Sequence, residues 1–311
     1  MVTSAGEGVT LKRLLVPLDG SRLAESVIPI VVSLAAHLEA RVTLLYVMER
    51  QTPATVHGDR HLHGTAEADA YLTDLSARML AAGVVADRHV HPNQEGDVAK
   101  SIVDHAGDLA ADLVILATHG GGGARRVLFG SVAQQVLRRG TRPVLLIRPP
   151  ETAPPASAAP FDVRRLLVPL DGQPPAEAAM PFAATISAAY GAEVLLVRVV
   201  PTLATLGGDR VSAARLTPTA AAASLDLEEE EARHYTDTMV RRWEADRRRV
   251  TATVMRGDPA QILLDVAAQA PVDMVVMASH GRAGLDAVFS GSVASRLAGR
   301  IQAPLLLVRA P

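Results

Sequence analysis

The chain has 311 residues, of which 49% are hydrophobic, 21% charged and 3% aromatic, with no cysteine and a formal net charge of -2. That length suggests about two domains of ordinary size, and the apolar share supplies a substantial core. Scarce aromatics and a slightly acidic balance argue against a stacking platform for single-stranded nucleic acid and against a general phosphate-backbone binder. The lack of cysteine excludes disulfides, thiolate catalysis and cysteine-ligated metals.

Residues 1–10, MVTSAGEGVT, have neither a basic nor an apolar region, so a flexible N-terminus is expected rather than a secretory signal. The longest weakly polar run, Ala178–Ala192, contains Pro181 and Gly191 and is too short to span a bilayer. The expectation is a cytoplasmic protein with neither membrane nor nucleic acid as partner.

From Leu11 onward, short aliphatic runs alternate with segments of helical periodicity. RLLVPL (Arg13–Leu18) is a strand run, Leu23–Leu38 a helix, VTLLYVM (Val42–Met48) a strand, and Ala66–Ala82 and Val98–Leu109 are helices. DLVILAT (Asp112–Thr118) follows as a strand, then a glycine-rich turn, a helix over Ser131–Arg139 and the strand PVLLIR (Pro143–Arg148). Aliphatic runs with few charges are typical of strands buried on both faces. Their alternation with helices predicts an α/β fold, with a parallel sheet covered by helices and ligands outside the carboxyl ends of the strands.

After Pro149 the stretch PPETAPPASAAP disfavours regular structure, and residues 151–163 are read as a linker. Beyond it the chain starts again. RLLVPLDG at Arg13–Gly20 recurs letter for letter at Arg165–Gly172, 152 residues later, whereas His119, Gly130 and Pro143 match His280, Gly291 and Pro304 at a spacing of 161. Two domains follow, 11–150 and 164–311, the second carrying about nine extra residues. The stretch Pro201–Ser224, rich in Ala, Thr and Gly with little periodicity, is expected to hold them as a loop. The charge run LEEEEAR (Leu227–Arg233) predicts an exposed, mutually supporting helix face.

ATHGGGGARRVLFGSVA (Ala117–Ala133) and ASHGRAGLDAVFSGSVA (Ala278–Ala294) both join a strand to a helix. A helix start exposes unpaired N–H groups and a partial positive charge, which suit an anion. Gly130 would let the backbone approach a ligand, glycines of the loop would permit positive φ, and Ser131 could cap the helix or bond a phosphate oxygen. The loops match neither the Walker sequence nor the dinucleotide G-x-G-x-x-G.

With Pro17 and Asp19 (Pro169 and Asp171) closing the first strand of each copy, and the spacing G-x2-G-x9-G-S/T in the loop, the chain resembles the universal stress protein family as a tandem pair. The resemblance covers nearly the whole chain. It implies two repeated doubly wound, Rossmann-like domains of the adenine nucleotide alpha hydrolase type, binding ATP with Mg²⁺ as a nucleotide-responsive stress factor. By the same resemblance, Asp19 and Asp171 hold the adenine or ribose end, Pro17 and Pro169 shape the pocket floor, and Val47 and Val199 contact adenine. The phosphates fall to Gly120, Gly130, Ser131, Val132 and Ala133, and to Gly281, Gly291, Ser292, Val293 and Ala294. The last strands, Val144–Ile147 and Leu305–Val308, are expected to pair in an intramolecular pseudo-dimer, with a homodimer also conceivable.

The motif's first glycine is replaced by Ala117 and Ala278, which a negative φ would tolerate. A turn-forming role is the simpler alternative for Asp19 and Asp171. Arg282 stands where copy one has Gly121, and Arg125 and Arg126 where copy two has Asp286 and Ala287, so unequal nucleotide affinities are expected. His119 and His280 are assigned to positioning the loop. No catalytic residue and no metal ligand is assigned, and HGDRHLHG, with His57, His61 and His63, is read as a flexible solvated loop. The alternatives are a slow ATPase or self-phosphorylating enzyme with Ser131 or Ser292 as acceptor, and an interaction scaffold that takes cyclic AMP or no nucleotide.

Overall fold

The computed structural model describes residues 8–50, 55–118, 130–149, 160–206, 209–279 and 293–310. It divides into two compact units, one of residues 10–162 with 304–309, the other built on residues 163–303.

The first unit contains β1 (Arg13–Leu18), α1 (Arg22–Glu25), α2 (Ile28–Leu38), β2 (Arg41–Glu49), β3 (Thr55–Val56), β4 (Asp59–Arg60) and α3 (Thr65–Ala81). It continues through β5 (Ala86–Glu95), α4 (Val98–Asp108), β6 (Leu113–Ala117), α5 (Ser131–Arg139) and β7 (Val144–Ile147). The second contains β8 (Arg165–Leu170), a 3₁₀ turn (Pro174–Ala179), α6 (Met180–Tyr190), β9 (Glu193–Val200), α7 (Asp209–Leu216) and α8 (Pro218–Ala245). It ends with β10 (Val250–Arg256), α9 (Pro259–Gln269), β11 (Met274–Ser279) and α10 (Val293–Ala298). The final strand, β12 (Leu305–Arg309), belongs to the first unit.

In the first unit the strands run in the order β12-β7-β6-β1-β2-β5, and in the second β10-β9-β8-β11. All neighbours within these sets are parallel except β12, which pairs antiparallel with β7 through Leu305–Leu146, Leu306–Leu145 and Leu307–Val144. That pairing covers an apolar strand edge that would otherwise invite association. Val16, Leu44, Ile115 and Leu145 in one unit, and Val168, Leu196 and Val276 in the other, have no exposed surface, as strands buried on both faces require. Among the described residues no helix is long and apolar enough to cross a membrane.

The same device starts the sheet in each unit. The Asp112 carboxylate accepts the Lys12 and Arg13 amides, both at 2.9 Å, and Asp273 accepts those of Arg164 and Arg165, both at 2.8 Å. The β1–β6 ladder then runs only through Leu14–Leu113 and Leu15–Val114, and the β8–β11 ladder through Leu166–Met274 and Leu167–Val275. Two residues further on stand Pro17 and Pro169, which have no N–H to resume it. A crevice therefore opens where the chain order reverses, with β1 continuing to β2 on one side and β6 lying on the other.

Three sequence expectations need correction. The segment expected as one helix over Leu23–Leu38 is two, because the second begins with Pro29 in its first turn and the Ser26 hydroxyl turns back to the Leu23 carbonyl at 2.6 Å. Pro201–Ser224 is not a loop throughout, for it holds α7 and the start of α8. Pro218 and Ala220–Ala223 favour a helix by propensity, and the exposure of this stretch removes the apolar periodicity that would have revealed it. HGDRHLHG contributes a short hairpin, β3 with β4, and His61 within it is only 2% exposed. The charged face of α8 is as expected, with Glu229 bonded to Arg233 one turn on and to Arg256 of β10. β5 carries Arg88, His89, His91 and Pro92, too polar a run to read as a strand, yet it fits the sheet edge, paired on one side to β2.

Asp19–Gly20 and Asp171–Gly172 make the turns after β1 and β8, the glycines at φ +83° and +78°. A Cβ on Gly20 would meet Leu62 Cδ1 at 3.0 Å. Gly20→Ala is expected to cost about 1–2 kcal/mol of stability, the penalty for a left-handed backbone carrying a Cβ, read as a lower urea midpoint by circular dichroism.

Candidate functional site

The crevice of the first unit widens into a cavity of 330 Å³. β1 contributes Pro17 and, just past its end, Asp19; β2 contributes Leu45 and Val47; and Ala117 closes β6. Gly130, Ser131, Val132 and Ala133 form the opposite wall. The second unit repeats the arrangement at 200 Å³, with Pro169, Asp171, Val197, Val199, Ala278, Val293 and Ala294. Every predicted site residue within the described parts thus lines one of two equivalent cavities. His119, Gly120, Arg125 and Arg126, and His280, Gly281, Arg282, Asp286, Ala287, Gly291 and Ser292, lie outside the described residues.

The site's two ends differ chemically. At α5 the first intrahelical bond runs from the Gln134 amide to the Gly130 carbonyl at 3.1 Å, so the helix supplies no acceptor for the amides of residues 131–133. Those amides, with the helix's partial positive charge, suit an anion. Gly130, not Ser131, is the N-cap, and its φ of -52° is open to any residue. Its lack of a side chain therefore serves approach to the cavity rather than an unusual backbone, and Ser131 is the first helical residue. Ala117 and Ala278 sit in extended strand, where a methyl group is no obstacle.

The carboxylate end is built on Asp19. Its Oδ1 accepts the Ser21 amide at 2.9 Å and the Ser21 hydroxyl at 2.6 Å, and Asp171 accepts the Gln173 amide at 2.9 Å. Each aspartate thus makes the turn that its position before glycine suggested, and still faces a cavity. In the first unit the other oxygen, Oδ2, lies 3.5 Å from His57 Nε2, and Glu49 lies 3.7 Å from buried His61 Nε2. The His61 ring also places Nδ1 3.0 Å from the Leu62 carbonyl. Beneath them burial, reinforced by the charges of Asp19 and Glu49, pushes the Tyr46 phenol far above its usual range, so it stays neutral.

Sequence reasoning missed the hairpin wall of Glu49, Val56, His57 and His61, and the helix floor of Val98 and Ile102 with its counterparts Pro259 and Leu263. The floor could have been found through the matching caps Asp97 and Asp258, which place α4 and α9 in register. The Asp97 carboxylate caps the Lys100 amide at 3.0 Å and meets Arg139 of α5; Asp258 caps the Gln261 amide at 2.9 Å and takes a two-pronged Arg296 of α10 at 2.6 and 2.8 Å. Arginine and aspartate thereby tie α5 to α4 and α10 to α9. No sequence signal placed the hairpin, whose counterpart stretch in the second unit leads into α7.

The two units are each a parallel Rossmann-like α/β sheet with a cavity at its switch point, the class to which nucleotide-binding folds of the adenine nucleotide alpha hydrolase type belong. The universal stress protein family model matches residues 10–148 and again 162–309, and the chain belongs to that family as a tandem of two domains. It is 27% identical to a universal stress protein of Mycolicibacterium smegmatis over 68% of this chain, and 30% identical to one of Mycobacterium tuberculosis over 64%. Those matches span 66% and 62% of the relatives' own lengths, just under two thirds. Among solved structures, a universal stress protein from Archaeoglobus fulgidus superposes with a TM-score of 0.69 at 17% identity, covering 97% of this chain and 99% of that one. A functionally unknown protein from Pseudomonas aeruginosa gives 0.66 at 14% identity, covering 96% and 93%; both likenesses are of fold.

Arg296, first, and the Gln261 amide hold the Asp258 carboxyl below the usual carboxylate range, against the opposing effect of burial. A carboxyl whose folded pKa is depressed stabilises above its unfolded pKa, and that stabilisation is lost as pH falls through the folded value. Asp258→Ala is therefore expected to cost about 1 kcal/mol at pH 7, with the gap to wild type narrowing below about pH 4. Urea titrations followed by Trp243, the chain's single tryptophan, buried in α8, would measure it.

Proposed function

We propose that the first unit binds an adenine nucleotide, ATP with Mg²⁺, and that the protein acts as a nucleotide-responsive stress or regulatory factor. One observation carries the reading: a single cavity is lined by a carboxylate, Asp19, by the first residues of α5, Ser131–Ala133, whose amides have no acceptor within the helix, and by the apolar side chains of Leu45, Val47 and Ile102. An apolar lining combined with a carboxylate and a helix start is what a nucleoside with an anionic tail requires, and 330 Å³ falls within the range of about 300–1,000 Å³ usual for small-molecule sites. Asp19 would accept from the ribose hydroxyls or an adenine N–H, and the amides at α5 would hold the phosphates, whose charge Mg²⁺ would share.

The second cavity, at 200 Å³, falls below that range and has no counterpart of the hairpin wall among its described residues. Gly172 there is overlaid by Arg198, whose guanidinium also stacks on Tyr235 at 5.3 Å from the ring centre. We therefore assign the tighter binding to the first unit, on grounds independent of the loop arginines. His57 beside Asp19 is the group in the described site that a hydrolytic reading would need as a base.

Calorimetric titration of ATP and cyclic AMP into the full chain tests this. Asp19→Ala and Gly130→Asp are each expected to weaken ATP binding about tenfold or more, the worth of one charge-assisted hydrogen bond, whereas Asp171→Ala leaves the tighter site intact. Wild-type affinity in both first-unit variants would overturn the reading, and tighter binding of cyclic AMP would replace ATP as ligand. Release of radiolabelled phosphate that His57→Asn abolishes would turn the binding protein into a slow ATPase.

A further inference from the structure

Three histidines from outside the hairpin meet on the first unit. His89 and His91 are alternate residues of β5 and so share one face of the strand, and His105 comes from α4 to stand against both. Its ring centre lies 4.6 Å from that of His89 and 4.9 Å from that of His91, and its Nε2 is 3.0 Å from His91 Nδ1. One nitrogen from each ring lies within 4.8 Å of the others, and all three residues are half-buried.

We propose that His89, His91 and His105 form a binding site for a divalent transition metal, with zinc as the representative ion. The reading rests on donor type and on geometry. Imidazole nitrogen is a preferred ligand of zinc, copper and nickel, and three imidazoles with one open position is a recurrent zinc arrangement. Tetrahedral zinc–nitrogen bonds of about 2.0–2.1 Å set ligand nitrogens about 3.3 Å apart. One pair is already at 3.0 Å, and the third ring has a nitrogen within 4.8 Å of both. Two imidazoles held at hydrogen-bond distance with a third beside them are also poorly arranged to carry protons together.

Sequence position supports a site confined to one repeat. Matching the strand registers and the Asp97 and Asp258 caps puts Thr253, Met255 and Val266 at the corresponding places of the second unit, none of them an imidazole. A bound ion would fasten α4, which supplies Val98 and Ile102 to the nucleotide-type cavity, to the sheet edge at β5. The proposal does not depend on the nucleotide reading.

Untagged full-length protein, stripped with a chelator, is titrated with zinc against a chromogenic chelator and, separately, with cobalt. One equivalent of zinc is expected per chain, weakened at least about tenfold by His91→Gln or His105→Gln, since even partners that only orient a ligand commonly matter 10–100-fold. A triple His57→Gln, His61→Gln, His63→Gln variant should bind as wild type. The cobalt complex should show the intense visible bands of a four-coordinate ion, a measurement on wild-type protein that does not depend on the variants folding. Failure of the wild type to compete for zinc, a six-coordinate cobalt spectrum, or binding lost in the triple variant but kept in His105→Gln would each overturn the proposal.

Discussion

Each repeat depends on a strand pair that parts early. Asp112 and Asp273 pin the starts of β1 and β8 through their backbone amides, and the ladders to β6 and β11 end two residues short of Pro17 and Pro169. A proline there cannot donate the bond that would zip the strands shut. Burial of the aliphatic strands holds the sheet together, and the interrupted ladder opens a crevice at its carboxyl end. The aspartate turn, the floor helix and the helix after the glycine loop all face that opening.

The common frame has been walled differently. In the first unit β2 ends at Glu49 and leads to the β3–β4 hairpin, which brings His57 and His61 over the cavity. In the second, β9 places Arg198 where the first has Tyr46, and that guanidinium lies across Gly172 toward Tyr235, whose hydroxyl donates to Glu177 at 2.9 Å. Burial and the Glu177 carboxylate push the Tyr235 phenol well up, so this corner carries a fixed cation beside a neutral phenol. The first cavity presents imidazoles and carboxylates at the corresponding end. Duplication preserved the backbone features that make a cavity and left the side chains above it free to diverge.

The ten histidines show why residue type alone was a poor guide. Crowding of His57, His61 and His63 in sequence reads as a solvated loop, yet the hairpin turns His61 inward and separates the three in role. The set that converges, His89, His91 and His105, is split between a strand and a helix, with residues 92–104 intervening. Only packing of α4 beside β5 makes neighbours of them.

Much was legible beforehand. The exact repeat of RLLVPLDG, the alternation of aliphatic runs with helical periods, and the Gly-Ser-Val-Ala helix starts determine the fold, the tandem arrangement and the residues that meet at each switch point, because buried strands and ligand-facing turns impose local composition. Exposed or edge elements were hidden for the complementary reason. The first turns of α8 bury almost nothing, and β5 is polar and carries a proline, so neither leaves an apolar pattern. The hairpin wall, the unequal cavity volumes and the histidine trio were decided by tertiary structure alone, since each depends on which side chains of separate elements are brought within contact distance.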